Sequence, residues 1–214
     1  MERPGFSPET IDFLWGIRMN NNRDWFLSHK EDYLSRLYRP MLALAEELRP
    51  AFRDVPGMAC KVSRIYRDTR MPQPDGPYKD GLWISFRPDA MYWGEHPCLY
   101  FDLHPEEAEY GFVLWHPKPA QLERFRRDLR EAPERFLRLT ERAERETGLR
   151  LTGDEYKRKK EGETPETARF YNLRSLACCR TLPIGPELFA PELADTVRET
   201  LLRLLPLYEY FSAL

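Results

Sequence analysis

No stretch of this 214-residue chain reaches the roughly 20 apolar residues that a helix needs to cross a bilayer, which argues against a membrane-spanning protein. The opening residues Met1 to Phe6 also lack the apolar core of a secretion signal, so the expected compartment is the cytoplasm. Cysteine is scarce. Cys60, Cys98, Cys178 and Cys179 show no C-x-x-C spacing, and the adjacent pair could close only a strained ring, so all four read as reduced thiols serving as small buried hydrophobes. Neither charge sign is in excess: 33 Lys and Arg against 35 Asp and Glu leave a net charge of -2. A whole-molecule pull toward nucleic acid or an anionic membrane is therefore not expected, and any anion binding must be local. A Walker loop, a G-x-G-x-x-G fingerprint, a G-x-S-x-G elbow and the kinase set are absent, which sets aside nucleotide enzymes of the common kinds.

What is present is a chain that is 42% hydrophobic and 13% aromatic, enough for one sizeable core and short for two. A single domain over residues 1–214 is expected. Ser7-Pro8-Glu9 starts a first helix, and Asn20-Asn21-Asn22 breaks it and caps a second, with Phe26, Tyr33, Leu37, Met41, Leu44 and Leu48 at helical spacing. Pro40 should kink that helix near Arg39. Short β-type runs follow at Cys60 to Tyr66, Leu82 to Phe86, Cys98 to Leu103 and Tyr110 to Trp115. Helical patterns return from Pro119, from Pro133, over Ala168 to Arg180 and from Pro191, the last ending near Pro206 or resuming beyond it. The order predicts an α+β fold: helices about 8–50, a mainly antiparallel central sheet about 60–115, and helices about 119–211.

The densest chemistry lies in Lys61-Val-Ser-Arg64-Ile-Tyr66-Arg67-Asp68-Thr-Arg70 and, shortly after, Pro77-Tyr78-Lys79. Guanidinium forks match carboxylate and phosphate oxygens, and several held together repel one another unless an anion or acidic partner neutralises them. Lys61, Arg64, Arg67, Arg70, Tyr78 and Lys79 are thus the candidate ligand-binding set. In a regular strand Arg64 and Arg67 would face opposite ways, so a shared pocket requires the strand to end or bulge near Tyr66 and the following loop to turn back. Asp68 and His104 are the candidates for acid or base work, His104 within a second group of Tyr100, Asp102 and His116 on predicted strands. His96, His104 and His116 lack the spacing of a metal site, and neither metal nor cofactor is expected. Asn21 to Trp25 are explained by capping and burial, with Arg23 able to reach the cationic segment if the second helix starts beside the sheet.

Asn21-Asn22-Arg23-Asp24-Trp25-Phe26, the Arg64 to Arg70 run and Pro77-Tyr78-Lys79, in that order, resemble the bacterial and fungal family catalogued as domain of unknown function 2461. Further agreement comes from Tyr110-Gly111, Trp115-His116-Pro117, Leu122 with Arg126, and the closing Leu205-Pro206-Leu207-Tyr208-Glu209-Tyr210-Phe211. The chain departs at Met71 to Gly76, where relatives usually carry an Asp-Lys pair, and at Asp80, where a threonine is usual. The first removes a cation, and the second weighs against a tight phosphate cradle at that turn. The resemblance implies boundaries near the chain ends and no established activity.

Three functions compete. One is a binder of, or enzyme acting on, a small ligand bearing phosphate or carboxylate. Another is a structural or interaction protein whose Arg and Asp residues form a stabilising salt-bridge network. The third is a nucleic-acid-binding module adding Lys157 to Lys160, which the net charge disfavours. Convergence of Arg64, Arg67, Arg70 and Lys79 on one cavity discriminates among them.

Overall fold

The computed structural model describes residues 5–68, 70, 74–89 and 92–214, so part of the Met71 to Gly76 departure lies outside the described residues. Helix α1 (Pro8–Met19) starts at a proline that has no amide hydrogen to lose, and Thr10 Oγ1 accepts the Ser7 amide at 3.1 Å. Asn22 then caps α2 (Arg23–Ser28) by accepting the Trp25 amide at 3.0 Å. A short α3 (Lys30–Asp32) leads into a π-helical segment (Tyr33–Tyr38), which passes into α4 (Arg39–Leu48). The junction falls where Pro40 was expected to divide the helix.

Five strands follow: β1 (Met58–Val62), β2 (Leu82–Pro88), β3 (Cys98–Leu103), β4 (Glu107–Leu114) and β5 (Leu176–Pro183). They form one antiparallel sheet whose spatial order equals their order in the chain. Between β4 and β5 lie α5 (Pro119–Glu131), α6 (Pro133–Thr147) and the single turn α7 (Ala168–Tyr171); α8 (Pro186–Phe189) and α9 (Leu193–Ser212) close the fold. Helix α9 runs through Pro206 rather than ending there. Among the described residues no helix is long and apolar enough to cross a membrane.

The helix expected over Ala168 to Arg180 is mostly wrong. It lasts only to Tyr171, and the rest becomes β5, an element that lies beyond the 60–115 range assigned to the sheet. Leu176, Cys178 and Leu182 are buried on one face, with Arg180 of that face exposed, and β5 matches β4 residue for residue, a cross-strand pairing that no helix makes. Alternation along the strand puts Cys178 in the core and leaves Cys179 only partly buried.

Each strand has one apolar face. Ile84 and Phe86 of β2, Leu99, Phe101 and Leu103 of β3, and Tyr110, Phe112 and Leu114 of β4 are almost fully buried. Helix α4 covers β1 and β2, α9 covers β3 and β4, and α6 packs on α9. Aromatic pairs join the layers, among them Phe52 on Phe86 at 4.7 Å and Phe211 on Phe112 at 5.7 Å. The opposite face carries Lys61, Trp83, Ser85, Arg87, Tyr100, Asp102 and Glu109, and it lines two adjoining cavities.

Candidate functional site

The site begins where β1 stops. The ladder ends at Val62, after which the Ser63 amide donates to the Trp83 carbonyl and the Trp83 amide donates to Ser63 Oγ. The chain then leaves the sheet, and residues 77–79 fold back on 65–67: the Lys79 amide donates to the Ile65 carbonyl at 2.7 Å, and the Arg67 amide to the Pro77 carbonyl at 2.9 Å. Tyr66 and Tyr78 form the bridge between the two segments. This is the turning back that a shared pocket requires, starting from a strand end four residues earlier than Tyr66.

Two side chains fix the fold-back. Asn21 Nδ2 donates to the Tyr78 carbonyl at 2.9 Å while its Oδ1 accepts the Tyr78 amide at 3.0 Å, so one amide side chain imitates a strand neighbour. Arg67 Nε donates to the same carbonyl at 2.7 Å. The Tyr78 ring is buried, stacked on Phe26 with ring centres 4.3 Å apart. Tyr78 therefore differs from the rest of the candidate set: it anchors the fold-back from the core side and does not line the cavity.

The remaining candidates come together. Lys61, Arg64, Arg67, Asp68, Arg70 and Lys79, joined by Arg87, Tyr66, Trp83 and Ser85, line one open cavity of about 830 Å³. Among the described residues, six cations thus line a space to which one carboxylate, Asp68, contributes. Some of this charge is already answered. Arg70 grips Asp68 through Nε and Nη2, and with Arg64 nearby the Asp68 carboxyl falls to about 2. Lys61 pairs with Asp89. Arg64 is exposed and makes no ion pair among the described residues. Lys79 lies over the Trp83 ring at 4.4 Å and donates to the Arg64 carbonyl at 2.5 Å. Burial, reinforced by Arg64 and Arg67, pushes the Lys79 ammonium below the ordinary lysine value.

Behind the fold-back, Asp80 accepts from Arg18 Nε at 2.6 Å and lies 3.9 Å from Arg67 Nη2. Burial works to raise the Asp80 carboxyl, but the Arg18 hydrogen bond and the fields of Arg18 and His104 outweigh it and the net shift is downward. Arg18 also forks onto Glu106. Asp80 is thus tied to α1, a role distinct from holding a ligand.

The second candidate group divides. Asp102 Oδ2 lies 3.2 Å from His104 Nε2, and this bond is the main reason the imidazole rises above its ordinary value, against the effect of burial. Tyr100 donates to Glu109, and burial together with the nearby Cys179 and Glu109 raises its phenol far upward, so it stays protonated. His116 lies apart from Asp102 and His104, beside Gly94, whose carbonyl accepts the His116 amide at 2.7 Å. Lys157 to Lys160 line a different cavity with Tyr156 and Arg174, sharing no lining residue with the first. Arg23 stands outside the cation-lined cavity; burial and Tyr66 raise the Tyr78 phenol, and Arg23 only partly offsets them.

Sequence reasoning missed Arg18, Arg87, Trp83 and Ser85, and it read Asn21 only as a cap. Trp83, Ser85 and Arg87 alternate along β2, a period-two signal that was available; Arg18 and Asn21 act across 62 and 57 residues of chain, and nothing local marks them. The family described as conserved hypothetical protein (DUF2461) matches residues 9–210 of the chain. No curated protein matches it.

Proposed function

We propose that this chain, which belongs to the DUF2461 family of conserved hypothetical proteins, binds a small ligand bearing a phosphate or carboxylate at the edge of its sheet. One observation carries this reading: among the described residues, six cations from three separate segments line one cavity with one carboxylate between them. Like charges held together raise the free energy of the empty site, and an oxyanion relieves that repulsion while filling the guanidinium forks. Arg64, which is exposed and feels only the field of Asp68 without a salt bridge among the described residues, and Lys79, whose ammonium is partly desolvated, are the natural first contacts. The compartment that suits the reading is the cytoplasm, where small phosphorylated and carboxylated metabolites abound and the four free thiols stay reduced.

The competing structural reading draws on the pairs Arg70 with Asp68, Lys61 with Asp89, and Arg18 with Asp80. Calorimetric titration with inorganic phosphate and with citrate separates the two. Saturable binding of at least one anion is expected, weakened tenfold or more by Arg64→Ala. Arg64 is the better probe than Arg67, because Arg67 also holds the Tyr78 carbonyl and its loss would disturb the fold-back. If neither anion binds the wild type, or if Arg64→Ala binds as the wild type does, the salt-bridge network is the correct account.

A further inference from the structure

Resting on that reading, we infer that the ligand is a mononucleotide: a phosphate held by the cations and a planar, nitrogen-rich ring held in the adjoining cavity. That second cavity, about 270 Å³, is lined by Trp83, Ser85, Cys98, Tyr100, Asp102, Glu109, Val113 and Trp115, mostly apolar surface with three aromatic rings. Trp83 and Ser85 line both cavities, so the two adjoin along β2. Cross-strand register sets the span. Lys61 pairs with Ser85 and Ser85 with Tyr100, two strand spacings or about 10 Å across the sheet, a distance that a ribose and its phosphate bridge.

The polar groups of this second cavity select further. Tyr100 Oη is committed to Glu109, and Asp102 Oδ2 to His104. Asp102 lines this cavity with 27% of its side chain exposed, while its Oδ1 is buried with no hydrogen-bond partner among the described residues, so a ligand reaches that oxygen through a small turn of the carboxylate. A buried, unanswered carboxylate oxygen costs free energy, and it calls for an N–H or O–H donor. A second phosphate would be repelled there by Asp102 and Glu109, and a purely aliphatic group would leave Oδ1 orphaned. A flat ring with an N–H on its edge satisfies all three conditions: faces for Trp83, Tyr100 and Trp115, a donor for Asp102, and no negative charge. The site uses none of the glycine-rich phosphate loops, so it would be a cradle of side chains rather than of backbone amides.

Titration calorimetry with inorganic phosphate, ribose 5-phosphate and the four ribonucleoside 5′-monophosphates tests this. At least one mononucleotide is expected to bind about tenfold or more tightly than ribose 5-phosphate, the scale of ring stacking. Asp102→Asn should remove most of that advantage and leave ribose 5-phosphate affinity unchanged. Asp102→Asn also alters the His104 contact, so Trp115→Leu provides the second variant: Trp115 is 54% exposed, its replacement leaves the core intact, and it lines only the ring cavity. It should have the same selective effect. Phosphate and ribose 5-phosphate binding with no mononucleotide preference would overturn the inference while leaving anion binding standing. A preference that survives both variants would place the ring elsewhere and overturn it too. Absence of any anion binding would overturn both readings.

Discussion

Lys79 carries its ammonium where burial and two guanidinium groups all favour releasing the proton, against the hold of the Trp83 ring and the Arg64 carbonyl. Anion affinity should therefore begin to fall at a pH below the ordinary lysine value of about 10.4, and Arg64→Ala should shift that fall to higher pH by removing one repelling charge. Calorimetry across pH 7 to 10.5 with inorganic phosphate reads both effects; a profile flat through this range would mean Lys79 does not touch the anion. His104 behaves in the opposite sense. Its folded-state value is raised, so its contribution to stability is complete below the unfolded value of about 6.5 and is lost as the pH climbs through the folded value. The melting temperature should decline from pH 6 to pH 8, and His104→Gln should flatten that part of the curve. At 41% side-chain exposure solvent screens the pair, and the effect should be small. At this scale most of the cation cluster was readable because five of its six described members lie between Lys61 and Lys79; Arg87, on β2, was not. A tyrosine beside cations reads as a hydroxyl donor, and nothing local to Tyr78 announces that its ring stacks on Phe26 in the core.

Between residue and molecule stands the fold-back of 77–79 on 65–67, which Asn21, distant in the chain, helps to hold beside Arg67 and the backbone bonds. Asn21→Ala deletes both hydrogen bonds to the Tyr78 backbone in a half-buried setting and should cost about 1–3 kcal/mol in chemical denaturation. It should also speed amide exchange at Arg67 and Lys79 and weaken anion binding together with stability. Normal exchange at those two amides would mean the backbone bonds suffice alone. Strand β5 invites a parallel test: Leu182 is buried opposite Ala108, and Leu182→Ala should cost about 2–5 kcal/mol by urea titration. A loss under 1 kcal/mol would make β5 a peripheral addition to the sheet. The first four strands were legible because clear turn residues separate their alternating runs. β5 was not, because its run follows directly on the α7 turn, with only Asn172 to Ser175 between, and local pattern cannot tell a continued helix from a strand that a distant neighbour will pair.

Across the molecule as a whole the formal charge nearly cancels, yet the cations of one sheet edge are concentrated around a single opening. Such a local field attracts anions over a Debye length of about 10 Å at 0.1 M salt, so phosphate affinity should weaken as sodium chloride rises from 50 to 500 mM. The fall should shrink in Arg64→Ala; equal salt slopes for the two proteins would place the binding site away from this edge. The strand order carries a different consequence, for the time course of folding. Neighbours β1 to β4 follow one another in the chain and can zip successively, whereas β5 pairs with β4 only after α5, α6 and the segment behind them have been gathered into a closed loop. The entropy of that closure must be met before the pairing returns any energy, so β5 should join after the rate-limiting barrier. Leu182→Ala should then mainly speed unfolding in stopped-flow experiments, while Phe101→Leu, in the early-forming meander, should slow refolding.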